Sequence, residues 1–315
     1  MDRPVYLRDP IQSVRSLACA ISCPEQMLRS VSRRAGRLYI GPKPKPKKSG
    51  GIRYVFDTKP PLKDILKRIN HVIFQQVHYP EYLTGSLKGR DFVANVEIHK
   101  GAKIAITEDI AQFFDNISSD QVYGVWRNFF HFHADVADLL TCLTTKDGRV
   151  FQGTPTSSYL ANLVFWDREP GVVARLAERG FRYSRYVDDI TISSEIDVSV
   201  DDKRWAISQI YGMIGGIGFK PQRVKHQELN ARRPITIMRL NVNSNAKPTL
   251  TKQERSSIRA QVHQLEKCHA SGNLGPNFQS ELNKVAGRVA RLKRLHRHEA
   301  EQLQNRIKLI RGANG

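Results

Sequence analysis

Apolar residues recur along this 315-residue chain at two spacings. Steps of three and four join Leu62, Ile65, Leu66, Ile69, Val72 and Ile73, the stripe of an amphipathic helix over 62–78 that Tyr79-Pro80 ends. The same spacing predicts one or two short helices over 11–35 and further helices over 119–143 and 203–214. A long helix over 156–178 is interrupted by Pro170-Gly171. A last helix over 279–310 repeats Leu282, Val285, Val289, Leu292, Leu303, Ile307 and Ile310. The helix before it opens at Thr251-Lys-Gln-Glu254, a capping box in which hydroxyl and carboxylate each satisfy an end amide. Alternation takes over in Lys103-Ile-Ala-Ile-Thr107, which predicts a buried strand. Ile52 to Phe56 and residues 235–243 also read as strand, and Phe181 to Ser194 as strand, Asp-Asp turn, strand. Lys146-Asp-Gly-Arg149 predicts a tight turn. No repeat of solenoid length is present.

Composition makes this a globular chain, with 40% hydrophobic residues and enough length for a sizeable core. Charge narrows its partners. Fifty Lys and Arg face 30 Asp and Glu, a net +20, which implies a polyanion, nucleic acid before membrane. No apolar run approaches the roughly 18–20 residues that span a bilayer, and no membrane partner is expected. The start, Met1-Asp2-Arg3-Pro4, has no charged-then-apolar leader, so a cytoplasmic protein is expected. Cys19, Cys23, Cys142 and Cys268 form no zinc-like spacing and read as reduced thiols. Residues 29–68 hold 13 Lys and Arg against Asp57 and Asp64 alone. Within them Gly41-Pro-Lys-Pro-Lys-Pro-Lys-Lys-Ser-Gly-Gly51 is extended or loop-like, because alternating prolines forbid a helix. Its one-signed charge predicts a phosphate-contacting loop carrying Lys45, Lys47 and Lys48.

In so basic a chain, acids at strand ends require a reason. Asp109 follows the 103–107 strand, and Asp188 and Asp189 sit at the tip of the 181–194 hairpin. Their neighbours are apolar or β-branched, so adjacent carboxylates there repel unless neutralised. Three carboxylates converging on one sheet suit two hard cations with oxygen ligands, Mg²⁺ above all. Such a pair activates a hydroxyl and stabilises a leaving pyrophosphate. His131-Phe-His133 falls in a stretch that reads helical, where residues two apart do not share a face, so no metal site is expected there.

Tyr186-Val187-Asp188-Asp189 resembles the catalytic box of reverse transcriptases. Asp-Ile-x-x-Phe-Phe-Asp at 109–115 resembles their first metal-binding motif. Gln152-Gly-Thr-Pro-Thr-Ser157, followed by Leu160-Ala-Asn162-Leu, resembles the motif between the two. The order matches, and the resemblance covers roughly 40–245. It is similar most of all to bacterial retron reverse transcriptases, whose Asn-x-x-x-His signature is matched by Asn95 and His99. The chain departs from the family at Thr154, Thr156 and Ser158, and has Ile237-Met238-Arg239 where a Val-Thr-Gly signature is usual.

The resemblance implies an α+β right-hand polymerase with fingers, a palm built on an antiparallel sheet, and a helical thumb. It divides the chain into an N-terminal helical extension (1–40), fingers (41–101), palm with interleaved finger elements (102–235) and thumb (236–315). Asp109, Asp188, Asp189 and the Ile110 carbonyl hold two Mg²⁺ ions in this reading. Phe114 screens the sugar of the incoming dNTP, Gln152 and Gly153 pack on it, Arg53 grips its triphosphate, and Lys225 protonates the pyrophosphate. Gly85, Arg90 and Asn95 shape the template entry, and His99 and Tyr186 contact nucleic acid. Arg288, Arg291 and Arg294, beside the last apolar stripe, contact nucleic acid. The implied activity is RNA-directed DNA synthesis on a cognate structured non-coding RNA, primed by a 2′-hydroxyl and yielding a branched RNA–DNA product, with an effector or toxin as a further partner in anti-phage defence. Two other readings stay open: an abortive-infection reverse transcriptase, and a nucleic-acid-binding scaffold that restrains a toxin.

Overall fold

The alternating segment at 103–107 becomes the middle of the molecule. The computed structural model describes residues 2–46, 51–243, 247–272 and 274–312. In chain order its elements are β1 (Val5–Tyr6), α1 (Val14–Ala20), α2 (Glu25–Arg33), β2 (Tyr39–Pro46), β3 (Ile52–Thr58), α3 (Leu62–Val72), β4 (Val77–His78), α4 (Phe92–Glu97), β5 (Ile104–Asp109) and α5 (Phe113–Asn116). Then come α6 (Ser119–Gly124), α7 (Ala134–Thr144), α8 (Ser157–Leu163), α9 (Glu169–Glu178), β6 (Arg182–Tyr186), β7 (Asp189–Ser194), α10 (Val200–Gly215) and β8 (Gln227–Asn230). The C-terminal part holds β9 (Thr236–Ile237), β10 (Leu240–Asn241), β11 (Thr249–Leu250), α11 (Lys252–Ala270), α12 (Phe278–Lys293) and α13 (Arg297–Gly312).

An antiparallel sheet of order β6-β7-β5-β8 forms the palm. Side chains alternate across it, and both faces are covered. Ile106, Tyr183, Ile190 and Ile192 face the larger core, shared with α1–α3 and α7–α10. Ala105 faces a second core built from Val93 and Val96 of α4, the β9–β10 hairpin and α11–α13. That second face is polar on β6 and β7, where Ser184, Thr191 and Ser193 are buried. Asp109 and Asp189 are register partners at its open end.

The basic Pro-Lys segment is extended, as expected, and forms β2, paired with β3 in a two-stranded ribbon. Its prolines are tolerated because β2 lies at the edge. Lys47 and Lys48 lie outside the described residues. Several helices are shorter than their apolar stripes predict. The 62–78 stripe ends as a helix at Val72, because Val77–His78 instead pairs with Val5–Tyr6. The 119–143 stripe breaks after a wide turn at Val125–Phe129. Trp126, Phe129, Phe130 and Phe132 are all buried, which one helical face does not permit, and His133 then caps α7. The 156–178 helix breaks ahead of Pro170, which sits in the first turn of α9 where its missing amide is no loss. Residues 279–310 form two helices, so that α13 folds back and buries its stripe against α11 and α12. Half of the Thr251 capping box forms: the hydroxyl accepts from the Glu254 amide at 3.2 Å, while the Glu254 carboxylate pairs with Arg288 at 2.9 Å.

Candidate active site

The carboxylates converge because β5 and β7 run in register to their ends. Asp109 closes β5, buried at 5% exposure, and its Cα partner is Asp189. Asp188 occupies the turn before β7, half-buried, and its carbonyl accepts from the Ile110 amide at 3.1 Å. The peptide carrying the predicted Ile110 ligand is thus tied beside both Asp109 and Asp188. A second tether comes from the far side. The Gln222 amide donates to the Asp109 carbonyl at 2.7 Å, and the short turn Arg223–Lys225 then brings the Lys225 ammonium onto Asp109 Oδ2.

Electrostatics mark the cluster as crowded with negative charge. Burial, and next the charge of Asp109, raises the Asp188 carboxyl above the usual carboxylate range. Burial, then Asp188 and Asp109, pushes Asp189 up to about 7, with Lys225 acting in the opposite direction. Three hard oxygen donors in this condition fit a hard divalent cation of the Mg²⁺ type. As they stand they are not closed on one: among the described residues no three His, Cys, Asp or Glu side chains are near enough together to hold an ion. Lys225 supplies the neutralising charge instead.

The two phenylalanines of the first motif separate by role. Phe113 is buried against Phe165 and Phe219, whereas Phe114 stays half-exposed. On the fingers ribbon, Arg53 is the register partner of Lys45 and Lys43 that of Val55, so Lys43, Lys45 and Arg53 share one face. Ile52 and Tyr54 occupy the other face. Phe56 continues that face onto Phe151, with ring centroids 4.1 Å apart. The Gln152-Gly153 segment lies along the same strand: the Phe56 amide donates to the Gln152 carbonyl at 2.8 Å, and Gly153, at φ +109°, abuts the Phe56 carbonyl. The close approach that selects glycine at 153 is to the backbone of the β2–β3 ribbon.

Six more residues expected to touch nucleic acid are engaged by other groups of the protein. His99 is fully buried, with Nδ1 and Nε2 each 2.7 Å from the hydroxyls of Ser193 and Ser184. Burial, then Arg182, lowers its pKa to about 3, so the ring is neutral. Asn95 donates to Thr84 and Ser184 at 2.7 and 2.9 Å. The Asn-x-x-x-His pair thus seats α4 on the polar face of the palm sheet. Arg90 donates to the carbonyls of Tyr79, Pro80 and Leu83. Arg288 bonds Glu254 and Gln261 on α11, and Arg291 bonds the Met238 carbonyl and lies 4.3 Å from the Phe92 ring centroid. Arg294, partly exposed, pairs with Asp91 at 3.0 Å. Arg288 and Arg291 lie on the side of α12 towards α11 and α4, Arg294 follows the helix, and Arg291 and Arg294 tie the C-terminal helices to the start of α4. Tyr186 remains half-exposed beside the carboxylates.

Two buried charge clusters escaped sequence reasoning. Glu108, 2% exposed on the core face of β5, accepts from Tyr211 and stands 2.6 Å from His226 Nδ1. Arg185, fully buried, forks onto Glu169. The available signal was a charge at an inward position of each strand, Glu108 between Ile106 and Ile110, and Arg185 between Tyr183 and Val187.

A family model described as reverse transcriptase (RNA-dependent DNA polymerase) matches residues 44–212. The retron Se72 reverse transcriptase of Salmonella heidelberg is 32% identical over 308 residues, 96% of this chain and 81% of that one. The retron Ec48 reverse transcriptase of Escherichia coli is 31% identical over 316 residues, 96% and 77% of the two chains. Among solved structures, telomerase from Candida albicans with a TWJ fragment of telomeric RNA aligns at TM-score 0.48 and 10% identity. The match covers 90% of this chain and 65% of that one, so this chain spans less than two thirds of the telomerase.

Proposed function

We propose, from the premise that this chain belongs to the retron reverse transcriptases and is an RNA-directed DNA polymerase, that it copies a cognate structured RNA into a branched RNA–DNA product. The observation that carries the reading is the register pairing of Asp109 with Asp189 beside Asp188, inside the matched family region. Asp109, Asp188, Asp189 and the Ile110 carbonyl would hold Mg²⁺. Bound there, divalent cations supply the positive charge that activates an attacking hydroxyl and stabilises the leaving pyrophosphate. Binding them requires Lys225 to leave Asp109, which frees its ammonium to donate a proton to pyrophosphate. Arg53 grips the triphosphate, Phe114 excludes a 2′-hydroxyl, and Gln152 packs beside the nucleotide at the fingers junction.

The fingers (41–101), palm (102–235) and thumb (236–315) are the working divisions. The second core supports a thumb that begins near Ile235, since Ile235 and Ile237 pack with α11–α13. RNA contact falls to cations left free. Lys43 and Arg53 on the ribbon, and Lys284 and Lys293 on α12, are exposed and carry no ion pair among the described residues, as is true of Lys45. These match an A-form stem read through its phosphates. No helix among the described residues is long and apolar enough to cross a membrane, and we place the reaction in the cytoplasm, in an anti-phage system with an effector protein.

The test is purification with the genomic neighbourhood, as wild type and as Asp188→Asn/Asp189→Asn, followed by digestion of the bound nucleic acid. A short DNase-sensitive product joined to RNA, found in the wild type alone, is expected. RNA alone in both samples would favour a binding scaffold. DNA of repeated sequence without attached RNA would favour an abortive-infection enzyme and end the priming claim.

A further inference from the structure

The turn that presents Asp188 and Asp189 has an unusual backbone. Val187 sits at φ +64°, a left-handed conformation that a β-branched residue avoids unless its surroundings impose it. Directly beneath it lies the Arg185 guanidinium, and all five of its N–H donors are engaged. Nε donates to Glu169 Oε1 at 2.6 Å and Nη2 to Glu169 Oε2 at 2.8 Å, a bidentate pair. Nη2 also donates to the Asn162 carbonyl at 2.9 Å, and Nη1 to the carbonyls of Ala161 at 3.3 Å and Val187 at 3.0 Å. Arg185 thus grasps the carbonyl of the strained residue two positions ahead.

The rest of the surroundings push the turn the same way. The Asn162 side chain donates to the Gly85 carbonyl at 2.8 Å. Gly85 packs so closely on the turn that an added Cβ would stand 2.5 Å from the Val187 nitrogen and 2.7 Å from the Tyr186 carbonyl carbon. The Thr84 amide donates to the Arg185 carbonyl at 3.0 Å, and the Tyr183 hydroxyl closes the network on Glu169 at 2.6 Å. Glu169 and Arg185 side chains are 1% and 0% exposed, so one anion compensates the guanidinium away from bulk solvent.

We propose that the Arg185–Glu169 pair is a positioning device for the polymerase site: by holding the Val187 carbonyl it keeps the Val187–Asp188 turn left-handed, and so keeps Asp188 and Asp189 beside Asp109. The inference rests on the proposed metal-binding role of those three carboxylates. Neither residue touches substrate. Glu169 fixes the guanidinium, the guanidinium fixes the turn, and the turn fixes the carboxylates.

The experiment uses the full chain free of metal and nucleic acid. Arg185→Lys keeps the charge and loses the fork. Expected are a folded protein, at least tenfold weaker binding of Mn²⁺ alone by calorimetry, faster amide hydrogen exchange over residues 186–190, and a fall in kcat larger than the change in KM for dNTP. Val187→Gly, which removes the left-handed penalty, should restore part of the Mn²⁺ affinity in the Arg185→Lys background. If Arg185→Lys does not fold, Arg185→Met/Glu169→Met replaces the pair with apolar side chains of similar length, and the same measurements apply. A variant that melts earlier yet keeps wild-type Mn²⁺ affinity, exchange and kcat would overturn the proposal and leave the pair as core structure. Loss of the branched product from wild-type protein would instead refute the functional reading and leave the Mn²⁺ comparison intact.

Discussion

Gly153 tests how the fingers are joined to the palm. Its φ of +109° is a conformation that L residues rarely adopt, and a Cβ there would collide with the Phe56 carbonyl oxygen. Gly153→Ala therefore meets two separate penalties. The backbone strain costs about 1–3 kcal/mol if the conformation is kept. Moving the strand aside to admit the methyl group stretches the bond from the Phe56 amide to the Gln152 carbonyl, now 2.8 Å, worth about 1 kcal/mol. The full sum is roughly 2–4 kcal/mol, and because relaxation along one route partly relieves the other the loss should fall at about 1–3 kcal/mol. Because Phe56 belongs to the ribbon that carries Arg53, the displacement also reaches the proposed triphosphate grip, and KM for dNTP should rise more than kcat falls. Gly212→Ala is the matched control. It lies on α10, exposed, with nothing within 4 Å of the added methyl, and should be neutral or more stable by up to about 1 kcal/mol. Thermal melts and primer extension on a generic template measure both effects. A Gly153→Ala protein with the melting temperature and dNTP KM of wild type would refute the close approach as the reason for glycine there.

The metal-free protein should lose stability as pH rises from the ordinary carboxylate range, about 4, towards 7, because over that window folded Asp189 retains a proton that the unfolded chain has released. Asp189→Asn removes that slope, so its gain in melting temperature should be larger at pH 8 than at pH 5, while polymerisation is lost at both; equal gains would contradict the crowding of the three carboxylates. Phe114→Val should raise ribonucleotide incorporation relative to deoxyribonucleotide by about 10- to 200-fold, the range for opening a packed pocket by small groups, and unchanged discrimination would return Phe114 to a packing role. Lys284→Ala/Lys293→Ala should flatten the dependence of log affinity for RNA on log salt by about 0.7–0.9 for each phosphate that is no longer neutralised. Arg288→Ala should lower the melting temperature and leave that slope alone, because its charge is held by Glu254; a flattened slope would restore the nucleic-acid role first expected of Arg288.

Local pattern carried the palm further than it carried the partner-facing surfaces. The strand at 104–109 and the hairpin over 182–194 were legible because alternation and turn chemistry act within a few residues. Their pairing was not, yet the motif order already required Asp109 to meet Asp188 and Asp189, and the register supplies that meeting. Charge pattern gave a face without the protein groups that meet it. The arginines at 288, 291 and 294 continue the step of three that joins Leu282 to Val285 in the core, so they turn partly inward and find Glu254, the Met238 carbonyl and Asp91. Sequence could assign them a face but not what that face meets, since Glu254 and Asp91 are distant in the chain. The same blindness hid Arg185. Its place, inward on a strand with apolar neighbours, called for a buried anion, and only the packing of α9 against β6 identifies that anion as Glu169. A charge at an inward position is thus a demand for a partner from elsewhere in the chain. Here the arginine that makes the demand stands three residues before Asp188, close enough for the partner it finds to bear on the proposed metal site.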